Sequence, residues 1–535
     1  MEFYLLATLA LFAGIIYGLI IGIIPAAGAT TGLVALFPFI VSLKSVDPYI
    51  AVIFIVAVVA SSTTGDTFTS VLLGIPGANS SAATMVDGFP LAQQGKATYA
   101  LSAAVTTSTV NGLIWGSISF LLMPWYYNFI IMPPMEGGIG QAELFVLCIL
   151  AFVTVSLVSN KFWVRSLLAL AVGVFLALVG TDPITASPRF TMGWDFLIGD
   201  GASKGISMIP VIAGIFAMPE MILALKNKVL TTARSATNHT QQLNDGIKIS
   251  FKEWKLSARG GIIGAIVGFL PGLGGGMSDW LAYGQTVATN PNEKIPFGKG
   301  NIKGVIGPEG SNNAQKASAF IPTVLFGIPG APFAAIVIGL FGAIGFELSL
   351  GTDVMNNNLM KNSLFFDSLS FGFLASTLIT GVICLYLMKY LTAIAYVPYK
   401  YYFPVILAFI VWATYTAGFG VYGFENVFLL GVFTVLGLGM RKWKFSRPAL
   451  MIGFILGDKI EMLGMQFFSM FNIGGYPLVK LTEFFSGKAV GNGRIAMALR
   501  DGNDVLQHPV FVVVSILILV VLVWGFVNKG KVDYS

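Results

Sequence analysis

The chain is poor in charge: Asp, Glu, Lys and Arg together make up 10% of its 535 residues. Soluble domains carry about 25%, and a soluble chain this apolar could not cover its own surface with polar groups. Cysteine is nearly absent. Cys148 and Cys384 both sit inside apolar runs, which excludes a disulfide framework. The two histidines, His239 and His508, are far apart in sequence, and no His/Cys cluster suggests a metal centre. A GxxxxGK[ST] loop is missing, which argues against an ATP-driven pump. HExxH is absent, and nothing else in the chain points to an intramembrane enzyme, so no catalytic residues are assigned. The net charge of +6 is small and dispersed, so no nucleic-acid partner is expected. Residues 3–24 are apolar but lack a basic leader, so they are kept as part of the mature fold rather than read as a signal peptide.

What the chain has in abundance is hydrophobic sequence, 56% of all residues. A bilayer-spanning helix needs about 20 apolar residues. Such stretches run over 3–24, 97–123, 142–158, 162–180, 205–225, 332–350, 364–390, 403–418, 424–440 and 509–528. A weaker one, 449–470, contains Asp458, Lys459 and Glu461. Residues 25–90 and 271–331 are apolar but interrupted by Gly, Pro, Ser, Thr and Asn, and are expected to form several short half-spans. Backbone broken at membrane depth must be satisfied by protein or line a wet cavity. The expected fold is all-α and polytopic, with about 11–14 full or half-membrane segments.

Loop charge gives an orientation. Residues 226–259 carry seven Lys and Arg against Asp245 and Glu253. Residues 441–447 hold Arg441, Lys442, Lys444 and Arg447, and the tail holds Lys529 and Lys531. Basic loops stay cytoplasmic, so these three are placed inside, with the N-terminus and 472–507 outside.

The strongest feature is a duplication. Gly14, Gly18, Gly22, Pro25 and Gly28 are spaced 4, 4, 3 and 3, and Gly260, Gly264, Gly268, Pro271 and Gly274 repeat that spacing. Each set leads to a second shared motif, Gly74–Ala78 (GIPGA) and Gly327–Ala331 (GIPGA). With one copy starting outside and the other following a cytoplasmic loop, the halves are expected to be inverted repeats with broken or re-entrant helices. That arrangement is common in secondary transporters, which bind solute at the repeat interface. Glycine at every fourth position clears one helix face for a neighbouring backbone. Proline then ends the span, and the exposed N–H groups of the next half-helix can hold an anion. The division expected is 1–225 as first repeat, 226–259 as basic linker and 260–470 as second repeat with its following helices. A polar insert, 471–508, and a last helix and tail, 509–535, complete it.

These motifs resemble the TctA-type large membrane subunit of tripartite tricarboxylate transporters. The resemblance rests on GIIPAAGATTG (22–32), LLGIPGANSSAATMVDGFPLAQQGKATYAL (72–101), QAELF (141–145) and VGTDPITASPRFTMG (179–193). In the second half it rests on GFLPGLGGG (268–276), FGKGNIKGVIGPEGSNNAQKASAFIPTVLFGIPG (297–330) and GFILGDKIEMLG (453–464). The chain departs from the family pattern at Thr64-Gly65-Asp66-Thr67 and at Lys316. The resemblance implies a multi-pass protein of the bacterial inner membrane that imports carboxylates such as citrate by symport with an ion. It implies a periplasmic TctC-type solute-binding protein and a small TctB-type membrane subunit as partners, and leaves room for a homodimer. A channel is the alternative, since broken helices also build pores.

Solute is expected at the breaks and tips: Gly28, Ala29, Thr30, Thr31, Gly274, Gly275 and Gly276, with Pro76, Gly77, Ala78, Pro329, Gly330 and Ala331. Gly77 and Gly330 are expected to need positive φ. Asn79 and Ser80 could donate to a carboxylate or cap a helix. Asn312, Asn313 and Lys316 join the solute set, although Lys316 could equally snorkel to the interface. No organic cofactor is expected. A coupling Na⁺ would use Ser62, Thr64, Asp66, Thr67, Glu309 and Asn312, and Asp66 could instead carry H⁺. Asp87, Lys96, Asp182, Arg189 and Glu461 read as residues that fix loops or helix ends.

Overall fold

The computed structural model describes residues 2–25, 28–131, 141–158, 163–181, 187–198, 205–226, 238–270, 274–346, 348, 363–395, 399–416, 422–470, 515–516 and 518. The insert 472–507, the tail lysines, Asp182, Lys228 and Arg234 lie outside the described residues, as does most of 509–528.

The first half opens with α1 (Glu2–Ile23), α2 (Gly28–Ala35), α3 (Phe37–Leu43) and α4 (Pro48–Leu73). One turn, Asn79–Ser81, leads into α5 (Ala82–Gln93), then α6 (Ala97–Ile131), α7 (Gln141–Val158) and α8 (Trp163–Ala177). A two-residue β-hairpin pairs Gly180–Thr181 with Pro188–Arg189. After it come α9 (Asp195–Ile198), α10 (Met208–Ile212), a π-helical turn (Ala213–Ala217) and α11 (Met218–Lys226). The second half contains α12 (His239–Lys252), α13 (Trp254–Phe269), α14 (Gly274–Thr289), α15 (Lys303–Phe326) and α16 (Pro332–Ile344). It closes with α17 (Ser363–Tyr386), α18 (Met388–Ala395), α19 (Tyr399–Thr416), α20 (Gly423–Lys442) and α21 (Arg447–Met470).

Among the described residues five helical stretches are long and apolar enough to cross a membrane: Glu2–Ile23, Pro48–Leu73, Ala97–Met123, Leu364–Tyr386 and Gly423–Lys442. Shorter apolar helices cover Trp163–Ala177, Met208–Leu223, Pro332–Ile344 and Arg447–Gly457. Large apolar side chains point outward, including Tyr4, Leu5, Leu9 and Phe12 on α1 and Phe424, Phe428 and Val435 on α20. An all-α protein that exposes so much apolar surface is solvated by lipid.

The expectation of several half-spans within 25–90 and 271–331 is corrected at the two polar runs. α4 is unbroken, and Ile50 through Leu73 are all buried. Its hydroxyls bond back onto their own helix: Ser61 to the Ala57 carbonyl at 2.7 Å, Thr63 to Val59 at 2.7 Å and Ser70 to Asp66 at 3.2 Å. Polar side chains satisfied in this way leave the backbone ladder intact. α15 likewise runs unbroken through Pro308 and Pro322, buried from Gly304 to Phe326.

The glycine ladders explain how these two helices are held. α1 packs along α4 and α13 along α15. A Cβ on Gly18 would meet the Val58 Cα at 2.8 Å, and one on Gly264 would meet the Ser311 Cα at 2.8 Å. Gly22 abuts the Ser62 carbonyl, and Gly268 the Gln315 carbonyl. Each half therefore uses the same ladder to bring a backbone against its own buried polar helix.

Across the halves the packing is reciprocal. α6 lies on α15, α17 lies on α4, and α6 meets α17. α2 touches α16, while α14 touches α5 and the turn at Asn79–Ser81. A second bundle joins α7 and α8 to α21, and the π-helical turn to α20. Bonds of Glu220 to Arg441 at 2.5 Å and to Arg447 at 2.7 Å pin it, as does the two-pronged Arg189–Glu461 pair at 2.7 and 3.1 Å. Within the basic linker, α12 packs on α6, where Ser250 donates to the Ala103 carbonyl at 2.9 Å.

Candidate functional site

Both long central helices end in the same way. α4 stops at Gly74 (φ 63°, ψ 28°) and α15 at Gly327 (φ 61°, ψ 23°), each in the left-handed region that favours glycine. The next helix is entered from an extended alanine, Ala78 (φ −138°, ψ 170°) or Ala331 (φ −154°, ψ 166°). The two GIPGA tips thus share one backbone path. Gly77 and Gly330 were expected at positive φ, but neither has it; Gly74 and Gly327 do. What Gly77 and Gly330 supply is room. A Cβ on Gly77 would reach the Asp66 Cα at 2.7 Å, and one on Gly330 the Ala319 Cα at 3.0 Å.

The displacement that carries Gly74 to Gly327 carries Gly77 to Gly330, Asp66 to Ala319, Thr63 to Lys316 and Ser80 to Phe333. The frame is duplicated, but its charges are not.

Between α4, α5, α14 and α15 lies a wholly buried polar seam. Asp66 is 1% exposed, Asp279 and Glu309 0%, and Lys316 8%. Ser80 donates to Asp66 Oδ2 at 3.2 Å, and Lys316 Nζ donates to Ser80 Oγ at 3.4 Å. The same ammonium stands 5.5 Å from the centre of the Phe333 ring. Lys316 therefore does not snorkel: it sits mid-helix, with Asp66 and Asp279 as its charged neighbours. Glu309 Oε1 accepts from Thr67 at 3.0 Å and Thr84 at 2.8 Å, across the two halves. Asn313 donates to Thr64 at 3.4 Å. Ser311 donates to Asp279.

Several buried atoms in the seam have no hydrogen-bond partner: Asp66 Oδ1, Asp279 Oδ2, Glu309 Oε2, Asn313 Oδ1 and both ends of the Asn312 amide. Buried polar atoms are normally paired, and those left open cluster where a ligand binds. The seam holds three carboxyls, Asp66, Asp279 and Glu309, and one ammonium, Lys316, so it has surplus acceptors. Among the described residues no group of three or more His, Cys, Asp and Glu is placed to hold a metal ion. A small cation here would rely on hydroxyl and amide oxygens as much as on carboxylates.

The other expected residues fall around this seam. Gly28, at φ 55°, faces the first tip, with its Cβ position 3.4 Å from the Ala78 Cβ. Ala29, Thr30 and Thr31 follow in the first turn of α2, and Gly274, Gly275 and Gly276 form the first turn of α14. Pro76 and Ala78 are half-buried, whereas Pro329, Gly330 and Ala331 are buried. Ser81 caps locally, accepting from the Ala78 N–H at 3.3 Å, whereas Ser80 turns to Asp66. Asn79 opens the turn after the first tip. Ser62 stands apart from the seam's bonds, donating to the Val59 carbonyl of its own helix at 3.2 Å.

Asp279 and Thr84 were missed in the sequence. The available signal for Asp279 was an acid soon after the Gly274–Gly276 turn, in an otherwise uncharged helix. Asp87, by contrast, is structural: it accepts from the N–H groups of Gly298, Gly300 and Asn301 at 2.8, 3.0 and 2.8 Å, and from Tyr283 Oη at 3.0 Å.

A duplicated helical core around a buried, incompletely paired polar seam, set in an apolar exterior, defines a multi-pass membrane transporter. The sequence profile of the Tripartite tricarboxylate transporter TctA family matches residues 8–452, and the chain belongs to that family. It is 27% identical over 477 residues to an uncharacterized 52.8 kDa protein in the TAR-I ttuC′ 3′ region of Agrobacterium vitis, covering 84% of each chain. It is 31% identical over 212 residues to an uncharacterized protein in the TAR-II ttuC′ 3′ region of the same organism, covering 37% of this chain and 78% of that one. No solved structure matches it significantly.

Proposed function

We propose that this chain is the translocating subunit of a three-part secondary transporter that imports organic di- and tricarboxylates. A periplasmic TctC-type binding protein delivers the solute, a small TctB-type subunit accompanies the chain, and the complex works in the bacterial inner membrane. The observation that carries the reading is the position of Lys316, a buried cation held between the residues that follow the two tips, Ser80 and Phe333. A carboxylate reaching the tips meets this ammonium, the Ser80 hydroxyl and the N–H groups at the starts of α2 and α14.

A gradient of Na⁺ or H⁺ drives the transport. A dianion entering a cell that is negative inside is opposed by roughly 4.6 kcal/mol per 100 mV. Uncoupled entry would run toward depletion. Two monovalent cations cancel the charge, and a third makes the potential helpful. Glu309, Asn312, Thr64 and Thr67 offer oxygens for one such cation, and Asp66 for another. Alternating access is served by the two-bundle build: the paired hairpins form one unit that touches the second bundle through α2 and α16, as an elevator would require.

Uptake by vesicles with a panel of organic acids and imposed ion gradients tests this reading. Saturable accumulation that collapses with the gradients, and weakens in Asp66→Asn and Asn312→Ala, supports a coupled carrier. Non-saturable flux that follows only the solute gradient would make the protein a channel.

A further inference from the structure

We propose that Asp66 is a built-in stand-in for the solute: it occupies the carboxylate position beside Lys316 until an incoming carboxylate displaces it. The inference deepens the carrier reading above and rests on it.

Lys316 stands where the two tips converge. Ser80 and Phe333 are counterpart positions, each in the first turn after its tip, and both lie against the Lys316 ammonium. One supplies a hydroxyl and the other an aromatic face. An ammonium so placed is nearly cut off from water, and its charge must be met by an anion. Ser80 relays that need, with its oxygen accepting from Lys316 and its hydrogen going to Asp66 Oδ2. The other oxygen of Asp66, Oδ1, is buried without a partner. This carboxylate is therefore weakly held. Asp279, the other acid near Lys316, is tied to Ser311 on α15 itself.

The Ser80 hydroxyl and the Lys316 ammonium form a two-point receptor for one carboxylate. Asp66 and a solute carboxylate make equivalent demands on it, so the two compete. The competition is assembled from both halves and has no second copy on the duplicated frame, because the counterpart of Asp66 is Ala319 and that of Lys316 is Thr63. Each molecule thus has one such receptor, engaging one carboxylate of the solute, while the remaining carboxylates fall to the tips and helix starts. When solute binds, Asp66 is left without its partner at a place where Asn312 also has open acceptor and donor atoms. Solute arrival thereby creates the demand for a cation, which ties the two cargoes together.

The test is equilibrium binding of radiolabelled citrate and succinate to the purified full-length chain in lipid nanodiscs, in sodium-free buffer and with added NaCl. Asp66→Asn removes the competitor and should tighten binding in sodium-free buffer about tenfold, equivalent to 1.4 kcal/mol. The same change should erase any sodium stimulation. Ser80→Ala and Lys316→Gln should each weaken binding in the wild-type background, and Asp66→Asn/Lys316→Gln should not recover it. Should Asp66→Asn fold poorly, Asp66→Ser supplies the same comparison with a smaller side chain. Unchanged or weaker binding by a folded Asp66 variant, while wild type binds either acid, overturns the stand-in and leaves the carrier intact. Binding of neither acid by wild type or any variant overturns both.

Discussion

Gly77 lies flat against Asp66, so close that a methyl group on the glycine would come within 2.6 Å of the aspartate Cβ. At the counterpart position, Gly330 lies on Ala319 with 3.0 Å available. Gly77→Val and Gly330→Val should each abolish solute uptake, since a branched side chain must push the tip away from its central helix. Gly77→Ala should already impair uptake, whereas Gly284→Ala, with nothing within 4 Å, should be neutral. Uptake assays normalised to membrane-inserted protein decide this. Normal rates in both valine variants would remove the tips from the transport path.

The ladder glycines carry stability rather than chemistry. Gly18→Leu and Gly264→Leu each drive a side chain into the backbone of the helix alongside. Overpacking of this kind costs about 1–3 kcal/mol or more. Both variants should unfold at lower temperature in detergent, while Gly431→Ala, which meets nothing within 4 Å, should match wild type. Equal melting curves for all three would mean that α1 and α13 are not held by backbone proximity.

Asp87 joins the halves from α5 to the loop ahead of α15. Asp87→Ala strands three backbone donors, each of which costs about 1–3 kcal/mol if left unpaired. The expected result is a marked fall in thermal stability, with a smaller fall for Asp87→Asn and no change in KM for the solute in whatever protein survives. A KM shift without loss of stability would place Asp87 at the solute instead.

The orientation read from basic loops can be checked by labelling. Cysteines at Ser235 and Lys252 should resist an impermeant thiol reagent applied to intact cells, and should react once the membrane is opened. Ready labelling from outside would reverse the assigned topology and, with it, the inverted relation of the halves.

The features legible in the sequence were those written in small residues. Glycine spaced every four positions can only mean close backbones, and the pairs Gly18–Val58 and Gly264–Ser311 bear out that meaning. The repeated GIPGA tips were legible because a left-handed glycine followed by proline has few other uses. The burden of positive φ was assigned to the wrong glycine, since sequence does not separate a conformational requirement from a steric one. The stretch 25–90 was expected to divide into half-spans because its Gly, Pro and hydroxyl residues interrupt the apolar run; the hydroxyls of Ser61, Thr63 and Ser70 instead bond back to their own helix without interrupting it. For Lys316 the sequence left two placements open, at the solute or at the interface, because its partners, Ser80 and Asp66, belong to the other half of the chain. Asp279 escaped notice for the same reason: its significance comes from α15, which folds back over it.

Unequal side chains on a duplicated frame have an energetic consequence. A carrier made of two identical copies, trading shapes to open first to one side and then to the other, would be equally content in either pose when empty. Here the exchange is between unlike partners: Asp66 with Ala319, Lys316 with Thr63, Ser80 with Phe333. Moving a buried ammonium and its acids through one half of that exchange is not the reverse of moving them through the other. If the chain works by the alternating access proposed above, its two poses differ in free energy and the unloaded protein rests facing one side. Its idle state then has a direction, set by side chains that the duplication did not copy.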